Sequence, residues 1–504
     1  DEKRADKILR CPEHLTTAEK IAEKSIVLLK NDGLLPIRKD LRSVAVIGPA
    51  ADTVSYGDYT ETRGRKGGVS VLDGIRAAVS PETEVLYERG CNFLGQALHP
   101  FDPSMLRDEN GESGLTGHYY NGPVPQGEPV QVRTDRTVNF NWIFALPHPA
   151  LDANCFSVVW TGSVVMPRTM DGCIGLSTQD SMRLYVDDKL LIDGWGKDKS
   201  ADQALDFHFE AGRTYKIRIE FVNDRRGARV IFGYSAGREN FPAAVEAARK
   251  ADVAILCMGD NEETSGENFD RTDLNLPGRQ LELVQAVYAT GTPVVLVLQS
   301  GRPVTANWEN DHLPAILEAW FPGEQGGTAI AKTLFGDAAP GGRLPITFPR
   351  SVGQIPCHYS RRPGGGKRYV EMDWLPLYPF GYGLTYTTFA YRDMALSRSV
   401  IDPQDTVTVS VTVTNTGKYT GDAVPQLYVR DMFSSVVKPE RQLAAFRRLT
   451  LAPGESRRVE LTVGPKQLRT LGPDYVWRVE PGKFELQLGD NAENILLRAD
   501  LTVE

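Results

Sequence analysis

The stretch 257–280 gathers the groups best suited to acid–base chemistry: Glu262, Glu263, Glu267, Asp270 and Asp273, with Arg271 among them. A carboxyl removed from water, or placed beside other carboxylates, keeps its proton to higher pH and can then serve as a general acid and base. Which of these carboxyls is buried decides which one could do so. The alternative is a solvated acidic loop. Arg271 is expected to form a structural ion pair with a loop carboxylate, and Asp260, at the end of the preceding strand, to cap the turn.

The loop has to be held by regular elements on both sides. The apolar run 251–256 before it reads as a buried strand, and an amphipathic helix begins near Arg279 after it. Loops of this length without regular structure are uncommon in compact domains and are often functional. This one leaves the carboxyl end of a strand, where open α/β sheets bind ligands. Upstream, the spacing of Ile21, Ser25, Leu28 and Leu29 predicts a helix over 17–31, stopped at Asn31-Asp-Gly33. Strands are expected at 43–48 and 83–87, with a helix from Val71 between them. After residue 241 the alternation resumes, with helices at 243–251 and 281–288, a strand at 293–298 and a further helix near Gly326. The unbroken apolar strands predict a mostly parallel sheet covered on both faces.

Between 115 and 236 the pattern is all strand, a β-sandwich or barrel in which Asp187-Asp188 marks a hairpin. After Phe389 the chain is again all β, and the run 406–415 alternates strictly. The fold class is therefore multidomain: an α/β sandwich interrupted by an all-β domain and followed by an immunoglobulin-like β-sandwich. The expected boundaries are 1–110 and 241–376 for the two parts of the α/β domain, 111–240 for the insertion and 377–504 for the last domain. Two separate α/β domains would leave the first with too small a sheet.

Composition narrows the function classes. With 504 residues, 41% of them hydrophobic, and a net charge of −8, the chain should fold as globular protein. Its charge argues against nucleic acid or an anionic membrane as partner. No apolar run reaches the ~20 residues that span a bilayer, and the N-terminus lacks a signal-peptide pattern. Six cysteines without CxxC spacing are expected to be mostly free thiols. Asp180, Asp187 and Asp188 are expected to serve turns rather than a cation. No cofactor and no metal are expected.

Several runs carry a family resemblance. Residues 25–36, 319–327, 334–349 and 378–389 resemble glycoside hydrolase family 3, the β-glucosidase and β-xylosidase family, and the last 115 or so residues resemble its fibronectin type III-like domain. The insertion, through 156–162 and 183–195, resembles a PA14 domain. The resemblance implies a retaining exo-acting β-glucosidase, with a β-xylosidase or a non-catalytic carbohydrate-binding scaffold as alternatives. It puts the acid/base on Glu267, three residues before Asp270-Arg271, with Asn268 in place of the usual glycine; Glu263 is the runner-up. It also implies a (β/α)8 barrel bearing the Asp nucleophile. Only 1–10 resembles part of one, its last helix, so the barrel is expected outside this chain. The implied partners are a β-glucoside or oligosaccharide and that barrel; a homodimer is left open, and a secreted or periplasmic location is favoured. Trp320, Phe321 and Trp374 offer flat faces that can stack on sugar rings, although core packing is the expected role of Trp320, and of Trp142, Trp160 and Trp195 in the insertion. The glycine-rich loop 57–68 is a further candidate for lining a cleft.

Overall fold

The structure, a computed structural model, describes residues 7–57, 60, 67–94, 98–142, 146–178, 180–196, 203–224, 228–236, 241–261, 264–267, 269–364 and 368–504. It divides into two compact units, Asp1–Phe93 with Phe241–Glu504, and Leu94–Asn240.

The first unit is built on a six-stranded sheet. Its strands, in chain order, are β1 (Val27–Asn31), β2 (Ser43–Ile47), β3 (Glu84–Glu88), β4 (Val253–Gly259), β5 (Val294–Gln299) and β6 (Ala315–Glu318). Their spatial order is β1-β6-β5-β4-β2-β3, with β1 antiparallel to β6 and all other pairs parallel. Every residue of β2, β4, β5 and β6 is buried, because helices cover both faces of the sheet and leave no position for an alternating polar residue. These helices are α1 (Pro12–Ser25), α2 (Val71–Ala78), α3 (Phe241–Lys250), α4 (Gln280–Tyr288), α5 (Asn307–His312) and α6 (Gly326–Leu334). The side chains of β4 show the two-sided packing: Ala254, Leu256 and Met258 enter one core, while Val253, Ile255 and Cys257 enter the other.

One element differs from expectation. The helix predicted over 17–31 ends at Ser25, and Val27–Asn31 is the edge strand β1. Ile21, one of the four residues whose spacing predicted that helix, is 65% exposed, whereas Ile26, Val27 and Leu28 are fully buried. A continuous apolar run with β-branched members fits a sheet covered on both sides, and the ladder with β6 outweighs the helical spacing. The segment 1–10 lies mostly outside the described residues.

The same unit carries the C-terminal β-sandwich. In Val407–Asn415, Val407, Val409, Val411 and Val413 are all fully buried, so period-two alternation here packs one face. Asp422 ties the sandwich to the α/β part, receiving Lys24 Nζ at 2.7 Å, Arg448 Nη1 at 3.0 Å and Thr450 Oγ1 at 2.7 Å.

The unit Leu94–Asn240 is a separate two-sheet sandwich whose shared core includes Trp160, Phe209, Phe221 and Phe232. Asp187 and Asp188, at φ 49° and 61°, turn the hairpin between Ser181–Val186 and Lys189–Asp193, as a two-residue loop with both φ positive requires. Trp142 packs on this core and Trp160 lies fully within it, whereas Trp195 is half-buried beneath the Arg183 guanidinium.

Candidate active site

The loop after β4 starts from a constrained strand end. Gly259 adopts φ 140°, and a Cβ there would lie 1.9 Å from the Gln299 carbonyl oxygen of β5. Only glycine allows so close a backbone approach in this conformation. Gln280, fully buried at the start of α4, grips the same glycine from the other side. Its Oε1 accepts the Gly259 N–H at 2.7 Å and its Nε2 donates to the Gly259 carbonyl at 2.9 Å. Both ends of the loop therefore meet at one residue.

Asp260 follows immediately and is 2% exposed. Its Oδ1 accepts from Thr264 Oγ1 at 2.9 Å and from Arg271 Nη1 at 3.3 Å, and Arg302 Nε lies 3.6 Å from Oδ2. Burial raises the Asp260 carboxyl above the usual aspartate range, and Thr264, Arg302 and Arg271 oppose that shift. Arg302 also donates to the Thr264 carbonyl at 3.1 Å, and Arg271 to the Asn275 carbonyl at 2.8 Å. At the neighbouring strand end, Glu318 is fully buried. It accepts the Trp320 N–H at 2.8 Å and lies 3.3 Å from Ser300 Oγ, which itself donates to the Arg302 carbonyl at 2.7 Å. Burial pushes the Glu318 carboxyl well up, and the charge of Asp260 adds to this. Trp320 holds φ 58°, the left-handed region a bulky residue seldom adopts, with its amide fixed on Glu318.

The expected site residues are thus sorted by burial. Arg271 forms the ion pair anticipated for it, and Asp260 does more than cap a turn. Glu267, Asp270 and Asp273 are exposed on the loop. Glu262, Glu263 and Asn268 lie outside the described residues, as does most of the glycine-rich loop 57–68. Phe321 belongs to the same edge: a Cβ at Gly301 would come within 2.8 Å of its ring. Trp320 packs into the core beside Phe348. Trp374 is elsewhere, under the Arg361 guanidinium in a cleft of about 100 Å³ shared with Tyr359, Phe380 and Glu493. Sequence reading missed Arg302, Ser300 and Glu318. The available signal was a glutamate ending an otherwise apolar strand, since a buried carboxyl needs dedicated partners. All six cysteines are free thiols, and among the described residues no group of three or more His, Cys, Asp or Glu could hold a metal ion.

An α/β sheet with an acidic, arginine-braced loop at its carboxyl edge, followed by a β-sandwich, defines a class already known. The chain belongs to glycoside hydrolase family 3: the family's C-terminal domain matches residues 26–386, and a fibronectin type III-like domain matches residues 423–492. Among characterised relatives, a β-glucosidase from Rhizobium radiobacter is 34% identical over 99% of this chain and 63% of its own length. A β-xylosidase from Formosa agariphila is 45% identical over 58% of this chain and 42% of its own length. The crystal structure of a β-glucosidase from Kluyveromyces marxianus in complex with glucose superposes with a TM-score of 0.75 at 29% identity, covering 98% of this chain and 63% of that one. The match thus spans less than two thirds of each of these proteins.

Proposed function

We propose that this chain supplies the acid/base half of a retaining, exo-acting β-glucosidase, with Glu267 as the proton donor. The observation that carries the reading is the placement of Glu267. It stands exposed on the loop that leaves the carboxyl end of β4, between two points, Thr264 and Arg271, that are both bound to Asp260. Glu267 is exposed in this chain, so the burial a general acid needs would come from the substrate and the barrel that presents it. The complementary carboxylate, an Asp nucleophile, comes from a (β/α)8 barrel outside this chain. In the first step the Asp attacks the anomeric carbon while Glu267 gives its proton to the departing oxygen. In the second, Glu267 takes a proton from water, which attacks the glycosyl ester and releases the sugar with retained configuration. The insertion, expected over 111–240, we read as PA14-like.

In the barrel-bearing enzyme, Glu267→Gln should slow hydrolysis of alkyl β-glucosides by about 10²–10⁴-fold and cleavage of activated aryl glucosides far less, because only poor leaving groups need the proton. Pre-steady-state and steady-state rates over a series of leaving groups check this, and an equal loss across the series would remove the acid role. The 45% identity to a β-xylosidase over 302 residues favours a second reading, the same mechanism acting on β-xylosides. The ratio of kcat/KM for aryl β-glucoside and aryl β-xyloside decides between the two. This chain without the barrel should hydrolyse neither.

A further inference from the structure

We propose that Asp260, acting through Arg271 and Arg302, is the positioning residue that sets the place of Glu267. This rests on the reading of Glu267 as the acid/base and adds a residue that acts on it without touching substrate.

The geometry is a clamp with one carboxylate at its centre. On one side, Asp260 accepts Thr264 Oγ1, and Arg302, whose guanidinium lies against Asp260 Oδ2, donates to the Thr264 carbonyl. Thr264 also closes the first turn, because its Oγ1 accepts the Asn261 N–H at 3.0 Å. On the other side, Arg271 reaches back to Asp260 and donates to the Asn275 carbonyl, while Thr305 holds the same stretch through its N–H to Leu274 O at 2.9 Å and its Oγ1 to Asn275 Oδ1 at 2.6 Å. Thr264 and Arg271 are thus two anchor points on one buried carboxylate, and Glu267 stands between them in the chain. Arg302 is held in turn: Ser300 Oγ donates to its carbonyl, and Glu318 backs Ser300.

Geometry of this kind bears on rate because a proton donor acts only when its oxygen lies within hydrogen-bond reach of the departing oxygen. A displacement of about 1 Å can cost about a hundredfold. A guanidinium stripped of its carboxylate, by contrast, has no reason to hold the loop in one position. The clamp also explains why an aspartate is buried at a strand end at all. Its desolvation is a cost met only by partners that have to be there.

The test uses two substitutions, Asp260→Asn and Arg302→Met, each read in two ways. In this chain, hydrogen exchange of amides 264–271 should quicken about tenfold or more in both variants, while β4 and β5 stay protected. In the barrel-bearing enzyme, both variants should lose about 10–100-fold on alkyl β-glucosides and much less on activated aryl glucosides, following the pattern of Glu267→Gln. The doubly substituted enzyme should be little worse than either single variant, since both break one clamp. A leaving-group-independent loss, or unchanged exchange in 264–271, would overturn the positioning role even if Glu267→Gln behaves as an acid variant should. If Glu267→Gln itself shows no leaving-group dependence, the acid/base reading falls, and the exchange result still reports on the clamp. Arg302, with its side chain 21% exposed, is the variant to rely on should Asp260→Asn fail to fold.

Discussion

Asp260 and Glu318 occupy the same edge of the sheet, and burial raises both carboxyls, with more opposing charge at Asp260 than at Glu318. Asp260 faces two arginines and a threonine hydroxyl; Glu318 faces Ser300, the Trp320 amide and the charge of Asp260. Burial, foremost, keeps the Glu318 proton on well above the ordinary glutamate range. A carboxyl whose folded-state pKa is raised carries no penalty in acid, where folded and unfolded chains both hold the proton. As pH climbs past the unfolded value near 4.5, the unfolded chain alone gains by ionising, and stability falls until the folded pKa is passed. Glu318→Gln keeps the shape and a donor for Ser300 but does not titrate. Its melting temperature should therefore exceed that of the wild type at pH 8, with the gap closing toward pH 4. Thermal melts across that range check it, and a deficit of equal size at every pH would mean that the carboxyl is not held neutral.

At the scale of elements, the start of α4 and the end of β4 are joined by one side chain. Gln280 satisfies both backbone groups of Gly259, and its Nε2 reaches the Phe93 carbonyl at 3.4 Å. Gln280→Ala would leave the buried Gly259 N–H without this partner, at a cost of about 1–3 kcal/mol. Urea unfolding of the α/β unit measures the cost, and a change below about 0.5 kcal/mol would show that solvent replaces the amide. Gly259→Ala should be worse, because its Cβ meets backbone rather than a movable side chain. It is expected to abolish the folded α/β unit by circular dichroism.

For the whole molecule, the insertion leaves the α/β part at Phe93 and returns at Phe241, and both points lie at the start of α4. Gln280 Nε2 binds the Phe93 carbonyl, and the Arg279 guanidinium stands 4.5 Å from the centre of the Phe241 ring. Chain ends held by adjacent residues can be joined by a short linker without strain, which is why such points accept whole domains. Replacing 94–240 with a short Gly-Ser linker should leave a cooperatively unfolding protein with the helix content of the α/β unit. Loss of cooperativity would show that the sheet depends on the insertion.

The alternation of apolar strands with amphipathic helices was legible in the residues, and so was the mostly parallel sheet, because both depend on local spacing and on burial of whole strands. The strict alternation of 406–415 likewise announced a strand with one packed face. The acidic loop was legible as a candidate site, and its position after a buried strand followed from the apolar run before it. Chain order alone could not separate strand from helix at 27–31, where a short apolar run suits either and only pairing with β6 decides. Nor could it sort the loop carboxylates. Asp260 and Glu267 are the same kind of group a few residues apart, yet one is buried on two arginines and the other is exposed. That difference comes from Arg302, just past the end of β5, and Glu318, at the end of β6, both far along the chain. Local sequence determines which residues can do chemistry; only tertiary packing determines which of them are desolvated, and desolvation sets the protonation state and the position of each.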